Sequence, residues 1–217
     1  SSVSHDLKTP ITSIKGYVEG IMDGVADTPE KMDRYIRTIY NKTNEMDSLI
    51  NELTLYSKID TNRIPYNFTI LPVRSYFGDC AEELTVELEN RDIELSYSNT
   101  LGEDVTIVGD AEQLKRVINN IVSNSIKYTE VGGRIDVDAL KRGESIYITI
   151  RDNGIGIAEK EMSRLFERFY RVDKARSRSM GSGTGLGLSI AKQIVEEHEG
   201  TITIESKDDC RRCSSYL

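Results

Sequence analysis

Several residue types that particular protein classes require are scarce in this sequence. Its 217 residues contain no tryptophan, two histidines, four prolines and three cysteines. Three cysteines do not make the disulfide framework of a secreted domain, so a reducing compartment is predicted. Cys210 and Cys213 have the spacing of a metal or redox pair, but a zinc site needs about four ligands and no second pair exists. The pair is interpreted as incidental.

Positive charge and long apolar runs are also scarce. The chain has 28 lysines and arginines against 36 acidic residues, a net charge of −8, which argues against nucleic-acid binding because phosphate backbones require a basic surface. No apolar run approaches the roughly 18 residues of a membrane span, and no signal peptide is visible, so no membrane contact is expected. The chain lacks an initial methionine and opens within a predicted helix, which predicts that it is part of a longer protein.

The first 62 residues carry the seven-residue repeat of packed helices. Apolar residues spaced by four and three form a seam in the first helix: Leu7, Ile11, Ile14, Val18, Ile21 and Val25. A second seam runs to about Asp60 in a helix that Thr28 is expected to cap, with Pro29 at its first position. Since an isolated hairpin cannot bury both seams, residues 1–62 are predicted to dimerise as a four-helix bundle.

Residues 66–217 show a different periodicity. Strand-like alternation is present at 93–98, 134–140, 145–152 and 201–206, with helical patterns at 77–88, 111–128 and 187–198 between these segments. This arrangement predicts an α/β sandwich whose mixed sheet is covered by helices on one face. The fold class predicted for the whole chain is therefore α+β, a helical hairpin followed by an α/β sandwich.

Polar residues recur on one flank of the predicted helix 111–128. Asn120, Asn124 and Lys127 are spaced by four and three beside its apolar stripe. Asparagine is a mediocre helix former, so its recurrence there is more than a solvated surface explains. An amide oxygen is a suitable ligand for Mg²⁺, which shares its ligands with nucleotide phosphates, and a lysine suits phosphate.

Two glycine-rich segments follow. "RDNGIGI" (151–157) places an acid at a strand end and then lets the backbone approach a ligand closely. "GSGTGLGLSI" (181–190) precedes a helix, where free amides and the helix N-terminus form an anion site. Its spacing differs from that of a P-loop. The polar, basic segment before it predicts a lid over a nucleotide at about 157–182.

Together and in this order, these segments resemble the ATP-binding domain of sensor histidine kinases, in the superfamily that also contains gyrase, a class of heat-shock chaperones and MutL. The family's N-box is matched by the similar segment "NNIVSNSIKYT" (119–129), and its first glycine box by "DNGIG" (152–156). The F-box resembles "LFERFYR" (165–171), and the second glycine box resembles "GTGLGL" (183–188).

The resemblance implies a role for each matching residue of an ATP site. Asn124 would hold Mg²⁺ with Asn120 in support, Lys127 would contact phosphate, and Tyr128 would lie near the adenosine. Asp152 would accept a hydrogen bond from the adenine amino group, which gives preference for ATP over GTP.

Phosphate contacts are implied for the remaining motif residues. Arg171 would face the γ-phosphate and stabilise the transferring group. The amides of three glycines would cradle the phosphates: Gly183, Gly185 and Gly187. The same motifs assign to the ATP site Gly154, Gly156, Thr184 and Leu186.

His5 lies one residue off the heptad seam, and "SHDLKTP" (4–10) resembles the H-box of the same family. A neutral imidazole has one nitrogen free to attack phosphorus, and Asp6 can accept the other N–H. Thr9 would position water for hydrolysis of a partner's aspartyl phosphate. Pro10 cannot donate to the carbonyl of Asp6, so a bend in the helix is expected there. His198 is interpreted as a helix C-terminal residue favoured by the dipole.

The resemblance implies an ATP-dependent protein-histidine kinase that uses Mg²⁺, phosphorylates His5 and passes the phosphoryl group to an aspartate on a response regulator. It implies a homodimer and a cytoplasmic fragment of a sensor whose parent chain is membrane-anchored. One alternative makes phosphatase activity dominant, and another is a non-catalytic nucleotide-binding scaffold. An ATPase of the gyrase or chaperone type does not account for the hairpin.

The C-terminal end departs from the family pattern. After "TITIES", the family continues with a glycine-containing turn and an apolar strand, whereas this chain reads "KDDCRRCSSYL". The departure predicts that the sheet lacks an edge strand and that the second domain is less stable.

Overall fold

The structure is a computed structural model that describes residues 2–60, 65–172, 184–207 and 210–216. For residues 2, 3, 5, 6, 56, 59, 60, 207 and 210–216 it describes the backbone alone. The chain divides into two compact units. The first comprises residues 1–64 together with 182–186, and the second comprises 65–181 with 187–217.

The first unit is built on a helical hairpin. Helix α1 (Ser2–Met22) and helix α2 (Pro29–Asp60) pack against each other, and the rings of Tyr17 and Tyr35 meet edge to face at 4.9 Å. The cap predicted at Thr28 is present, since its hydroxyl oxygen accepts from the backbone N–H of Lys31 at 3.2 Å. No helix among the described residues is long and apolar enough to cross a bilayer.

One set of apolar positions on the hairpin remains exposed. In the α1 repeat, alternate seam positions differ: Leu7, Ile14 and Ile21 are partly buried, whereas Ile11 is 49% exposed and Val25 53% exposed. The second helix has the same pattern, with Leu49 buried beside an exposed Ile50. The hairpin therefore leaves part of the apolar surface of each helix exposed.

The second unit contains two sheets and four helices in the described residues. The five-stranded sheet has the order β2-β4-β5-β7-β6, with β2 parallel to β4 and the other pairs antiparallel, and β1 pairs with β3 in a separate antiparallel ladder. The elements are β1 (Thr69–Pro72), α3 (Val73–Glu89), β2 (Glu94–Asn99), β3 (Thr106–Gly109), α4 (Ala111–Tyr128), β4 (Arg134–Arg142), β5 (Ser145–Asp152), α5 (Glu159–Met162), α6 (Gly187–Glu197), β6 (Thr201–Lys207) and β7 (Cys210–Tyr216).

The core lies between one face of the larger sheet and the helices. Burial alternates along β4 and β5, so that mostly apolar side chains point inward and mostly polar ones point outward, as expected for a half-covered sheet. The outer face carries the ion pair between Arg151 and Asp138. The inner face and the helical stripes supply the core: Ile135, Val137, Ile148, Ile150, Phe77, Leu84, Val117, Ile121, Ile190 and Ile194. The predicted α+β class and mixed sheet covered on one face are confirmed.

The C-terminal segment forms a strand, so the prediction of a missing strand was wrong. Strand β7 pairs with β5 on one side and β6 on the other. A strand flanked on both sides has its backbone donors and acceptors paired whatever its side chains are, because ladder hydrogen bonds come from the main chain. The small, polar composition of "CRRCSSY" therefore did not reveal it.

Candidate functional site

Helix α4 carries the first part of the candidate nucleotide site. Its start is fixed by Asp110, whose carboxylate accepts from the backbone N–H of Gln113 at 3.1 Å. Its apolar stripe is buried, so the flank with Asn120, Asn124 and Lys127 is left half-buried beside the core. This is the face expected from the spacing of these three residues.

Two asparagines on this face differ in their contacts. The amide nitrogen of Asn120 donates to the carbonyl oxygen of Gly187 at 3.1 Å, which joins α4 to the first residue of α6. Asn124 is half-buried, and its amide has no partner among the described residues. No cluster of three or more histidine, cysteine or acidic side chains that could hold a metal is found in the described part of the chain. An amide oxygen is chemically suited to share a Mg²⁺ ion with phosphate oxygens and water, and among these side chains Asn124 could supply one.

Lys127 and Arg171 lie close enough to interact. Burial lowers the pKa of the Lys127 ammonium, and the positive charge of Arg171 lowers it further. The positive charges of Lys127 and Arg171 repel each other, and a bound anion would offset this repulsion. The pair is therefore suited to binding a multiply charged anion such as a polyphosphate.

Asp152 ends strand β5 and is buried, with 5% of its surface exposed. One carboxylate oxygen accepts from the backbone N–H of Gly154 at 3.0 Å, which closes a tight turn. The turn is held against the end of α4, because the N–H of Ile155 donates to the carbonyl of Tyr128 at 3.3 Å. The N-box and the first glycine box are thereby brought together.

Gly154 is required by this close approach. A Cβ atom there would lie 2.5 Å from the carbonyl oxygen of Tyr128 and 2.8 Å from a carboxylate oxygen of Asp152. The contact with the backbone of Tyr128 cannot be relieved by a rotamer change.

We expect Gly154→Ala to lower the melting temperature by several degrees, since overpacking typically costs about 1–3 kcal/mol. Gly78→Ala is the matched control, because a Cβ on that residue of α3 meets nothing within 4 Å. Alanine there should stabilise the helix by about 0.5–1 kcal/mol. Circular dichroism melts of both variants test the pair, and equal melting temperatures would contradict the packing argument.

The second glycine box is described from Thr184 onward, and residues 184–186 belong to the first unit. The hydroxyl oxygen of Thr184 accepts from the backbone N–H of Leu186 at 3.1 Å. Thr184 also donates to the carboxylate of Glu52 on α2. Burial raises the pKa of that carboxyl, and the hydrogen bond from Thr184 opposes the rise. Leu186 is fully buried, and Gly185 is partly exposed.

Several predicted site residues lie outside the described side chains. The side chains of His5 and Asp6 are among them, as are Gly183 and residues 173–182 of the lid predicted at about 157–182. Thr9 is described and exposed on α1. Gly156 follows the turn at Asp152 with a φ of 68°.

The sequence reasoning missed the residues that fix the start of α4. Asp110 accepts a second hydrogen bond, from the backbone N–H of Asn67 at 2.8 Å, and its own N–H donates to Nε2 of His198 at 2.9 Å. The segment "DAEQ" at 110–113 has an N-cap acid with glutamine three residues later, which is a capping-box pattern. That signal could have identified Asp110, whereas its contact with His198 joins residues 88 apart in sequence.

Comparison with known families identifies both units. Residues 1–62 match the model of the His Kinase A (phospho-acceptor) domain. Residues 109–214 match the model described as histidine kinase-, DNA gyrase B-, and HSP90-like ATPase. Because the two models match successive parts of the chain in the order expected, the chain belongs to the histidine kinases.

A curated relative agrees with this assignment, and two solved structures share the fold. The sensor histidine kinase WalK of Bacillus subtilis is 34% identical over 95% of this chain, which covers 34% of that protein. The structure of histidine kinase AdeS of Acinetobacter baumannii matches with a TM-score of 0.78 and 21% identity, covering 98% of this chain and 96% of that one. Histidine kinase ThkA, solved with the response regulator TrrA, matches with a TM-score of 0.79 and 23% identity, over 99% of this chain and 59% of that one. The chain spans about a third to a half of the curated relatives' length.

Proposed function

We propose that this chain is the autophosphorylating core of a sensor histidine kinase. The observation that carries the proposal is the half-buried face of α4, where Asn124 and Lys127 lie one turn apart and the positive charge of Arg171 acts on Lys127. Two cations and a neutral oxygen ligand match the chemistry of a magnesium-bound triphosphate. The family assignment supports the same conclusion.

ATP is the proposed nucleotide. Asp152, buried at the end of β5, accepts from the adenine amino group, and one of its carboxylate oxygens accepts from the N–H of Gly154. Tyr128 lies beside the adenosine. The amides of the second glycine box and the N-terminus of α6 contact the phosphates, with Gly183, Thr184, Gly185, Leu186 and Gly187 as the contributing residues.

Mg²⁺ is the proposed metal, held by Asn124 with Asn120 in support. When bound, it neutralises charge on the phosphate oxygens. Lys127 contributes a second positive charge to the phosphates, and Arg171 is directed at the γ-phosphate. The half-buried position of Lys127 strengthens its interaction with an anion, because the local dielectric constant is lower than that of water.

His5 is the proposed phosphoacceptor. A lone pair of its neutral imidazole attacks the γ-phosphorus, a nitrogen–phosphorus bond forms, and the bond to the β-bridging oxygen breaks with ADP as the leaving group. Asp6 accepts the N–H of the ring and stabilises the positive charge that develops on it. The phosphoryl group then passes to an aspartate of a response-regulator receiver domain. We propose that Thr9 positions water for the reverse, phosphatase activity.

A homodimer through the hairpin is part of the proposal. The exposed seam positions on α1 and α2 support it, because a second hairpin would bury them. The crystallised complex of ThkA with TrrA supports a response regulator as partner. Since the relatives are named sensors and are longer than this chain, we further propose a membrane-anchored parent whose catalytic part lies in the cytoplasm. The alternative is a dimeric scaffold that binds nucleotide without chemistry.

Incubation with Mg²⁺ and ATP labelled at the γ-phosphate tests the function directly. We expect label that is lost in acid and retained in alkali, as a phosphorylated imidazole requires. ATP labelled at the α-phosphate is the control, because that label should leave with ADP. Binding of ATP without label transfer from the γ-position would support the scaffold instead.

A further inference from the structure

His198 is the centre of a group of contacts in the second unit that the proposed chemistry does not use. Its Nδ1 lies 2.7 Å from the carbonyl oxygen of Ile194, and its Nε2 lies 2.9 Å from the backbone nitrogen of Asp110. A carbonyl can only accept, so Nδ1 carries the hydrogen. An N–H can only donate, so Nε2 must present its lone pair. These two contacts together require a neutral ring.

Asp110 connects the ring to the chain segment that opens the second unit. One carboxylate oxygen caps α4 through Gln113, and the other accepts from the N–H of Asn67 at 2.8 Å. The rings of Phe68 and Tyr66 lie 4.9 Å and 5.9 Å from the imidazole. We call His198, Asp110 and residues 66–68 the His198 cluster.

The backbone at Gly109 leaves room for the ring. A Cβ there would lie 3.4 Å from Cδ2 of His198 and 2.9 Å from a methyl group of Leu114. The imidazole is therefore packed closely against the main chain at the end of β3. A small displacement of the ring would lengthen its hydrogen bond to Asp110.

Acidic groups lie close to Tyr66 in this cluster. The carboxylate of Asp110 lies at the N-terminus of α4, and Glu197 precedes His198 on α6. The pKa of Tyr66 is raised to about 12, mainly by burial and further by the negative charges of Glu197 and Asp110. The positive charge of Arg116 on α4 lowers it. The hydroxyl of Tyr66 is buried without a hydrogen-bonding partner among the described residues.

We propose that protonation of His198 releases residues 66–68 from the start of α4, so that attachment of this segment depends on pH. The incoming proton occupies the Nε2 lone pair, and the N–H of Asp110 then loses its acceptor. The new Nε2–H is attracted to the Asp110 carboxylate, where it competes with the N–H of Asn67. The segment is therefore attached while the ring is neutral and released when the ring is protonated.

The place of residues 66–68 in the chain determines what their release would change. Residues 66–68 follow within two residues of 61–64, the stretch that leads from α2 to the second unit. Acidification therefore detaches the first residues of the second unit from the start of α4. This inference does not depend on kinase activity.

Amide hydrogen exchange measured by NMR on the full chain tests it, at pH 7.5 and pH 5.5, with rates expressed as protection factors. We expect protection at Asp110 and Asn67 to fall about tenfold on acidification, the effect of losing one hydrogen bond. His198→Gln supplies a neutral acceptor, so its protection should not change with pH. In His198→Phe, which keeps a ring but has no acceptor, protection should be low at both values.

Amides in the centre of the larger sheet, such as Ile148 and Ile150, provide the internal reference. Their protection should stay constant, which separates release of the segment from global unfolding. The proposal is wrong if the native chain and His198→Gln respond alike to pH, or if the native chain does not respond. If His198→Phe does not fold, the comparison of the native chain with His198→Gln still tests the proposal.

Discussion

Replacing His5 by glutamine is expected to reduce transfer of the γ-phosphoryl group by at least about a thousandfold, because removal of the attacking nucleophile leaves no acceptor for the phosphorus. Glutamine has a size and polarity near those of histidine, so the helix should be unaffected. Its amide nitrogen has no basic lone pair, and a phosphorylated amide does not form. The measurement is the acid-labile label retained on the chain after incubation with Mg²⁺ and γ-labelled ATP.

The chain offers a matched control, since it contains only two histidines. At pH 7.5, His198→Gln should be labelled as the native chain is, because glutamine can accept from the N–H of Asp110 in place of the ring. His5→Gln should also bind ATP with unchanged affinity in equilibrium dialysis, since the proposed nucleotide contacts lie in other segments. Persistent acid-labile label in His5→Gln would show that another residue is the acceptor.

The elements whose sequence pattern reflects packing were predicted well. Helix α4 and strand β5 agree with their predicted bounds because each buries a regular stripe or alternate residues against the core. Strands β1 and β3 were not predicted: each has four residues, and Ile70 and Val108, which face each other across the ladder, are both largely exposed. Strand β7 is stabilised by its two neighbours, which its own residues do not reveal.

The candidate site likewise contains residues that the sequence pattern groups and residues that only tertiary packing brings together. Spacing along α4 was enough to group Asn120, Asn124 and Lys127, since one helix fixes their geometry. The interaction of Lys127 with Arg171 and the contact of Asn120 with Gly187 depend on tertiary packing. For His198, a helix-dipole interpretation agrees with the contact from Nδ1 to Ile194 but gives no reason for an acceptor at Nε2.

Asp152→Asn should weaken ATP binding by about 10- to 100-fold, the effect of losing a hydrogen bond to a charged acceptor in a buried site. Asparagine can keep the oxygen that accepts from Gly154, so the turn should survive. Its amide nitrogen would then replace the second carboxylate oxygen and present a donor to the adenine amino group, which is itself a donor. Selectivity for ATP over GTP should fall together with affinity.

Isothermal titration with ATP and with GTP, in the presence of Mg²⁺, measures both effects. Asp136→Asn is the matched control, because Asp136 lies on the outer face of the neighbouring strand and pairs with Arg134. That variant should bind ATP as the native chain does. Affinity of Asp152→Asn within twofold of native would remove Asp152 from the adenine site. The nucleotide would then be held by its phosphates alone, through Lys127, Arg171 and the glycine-box amides, and ATP and GTP should bind equally well.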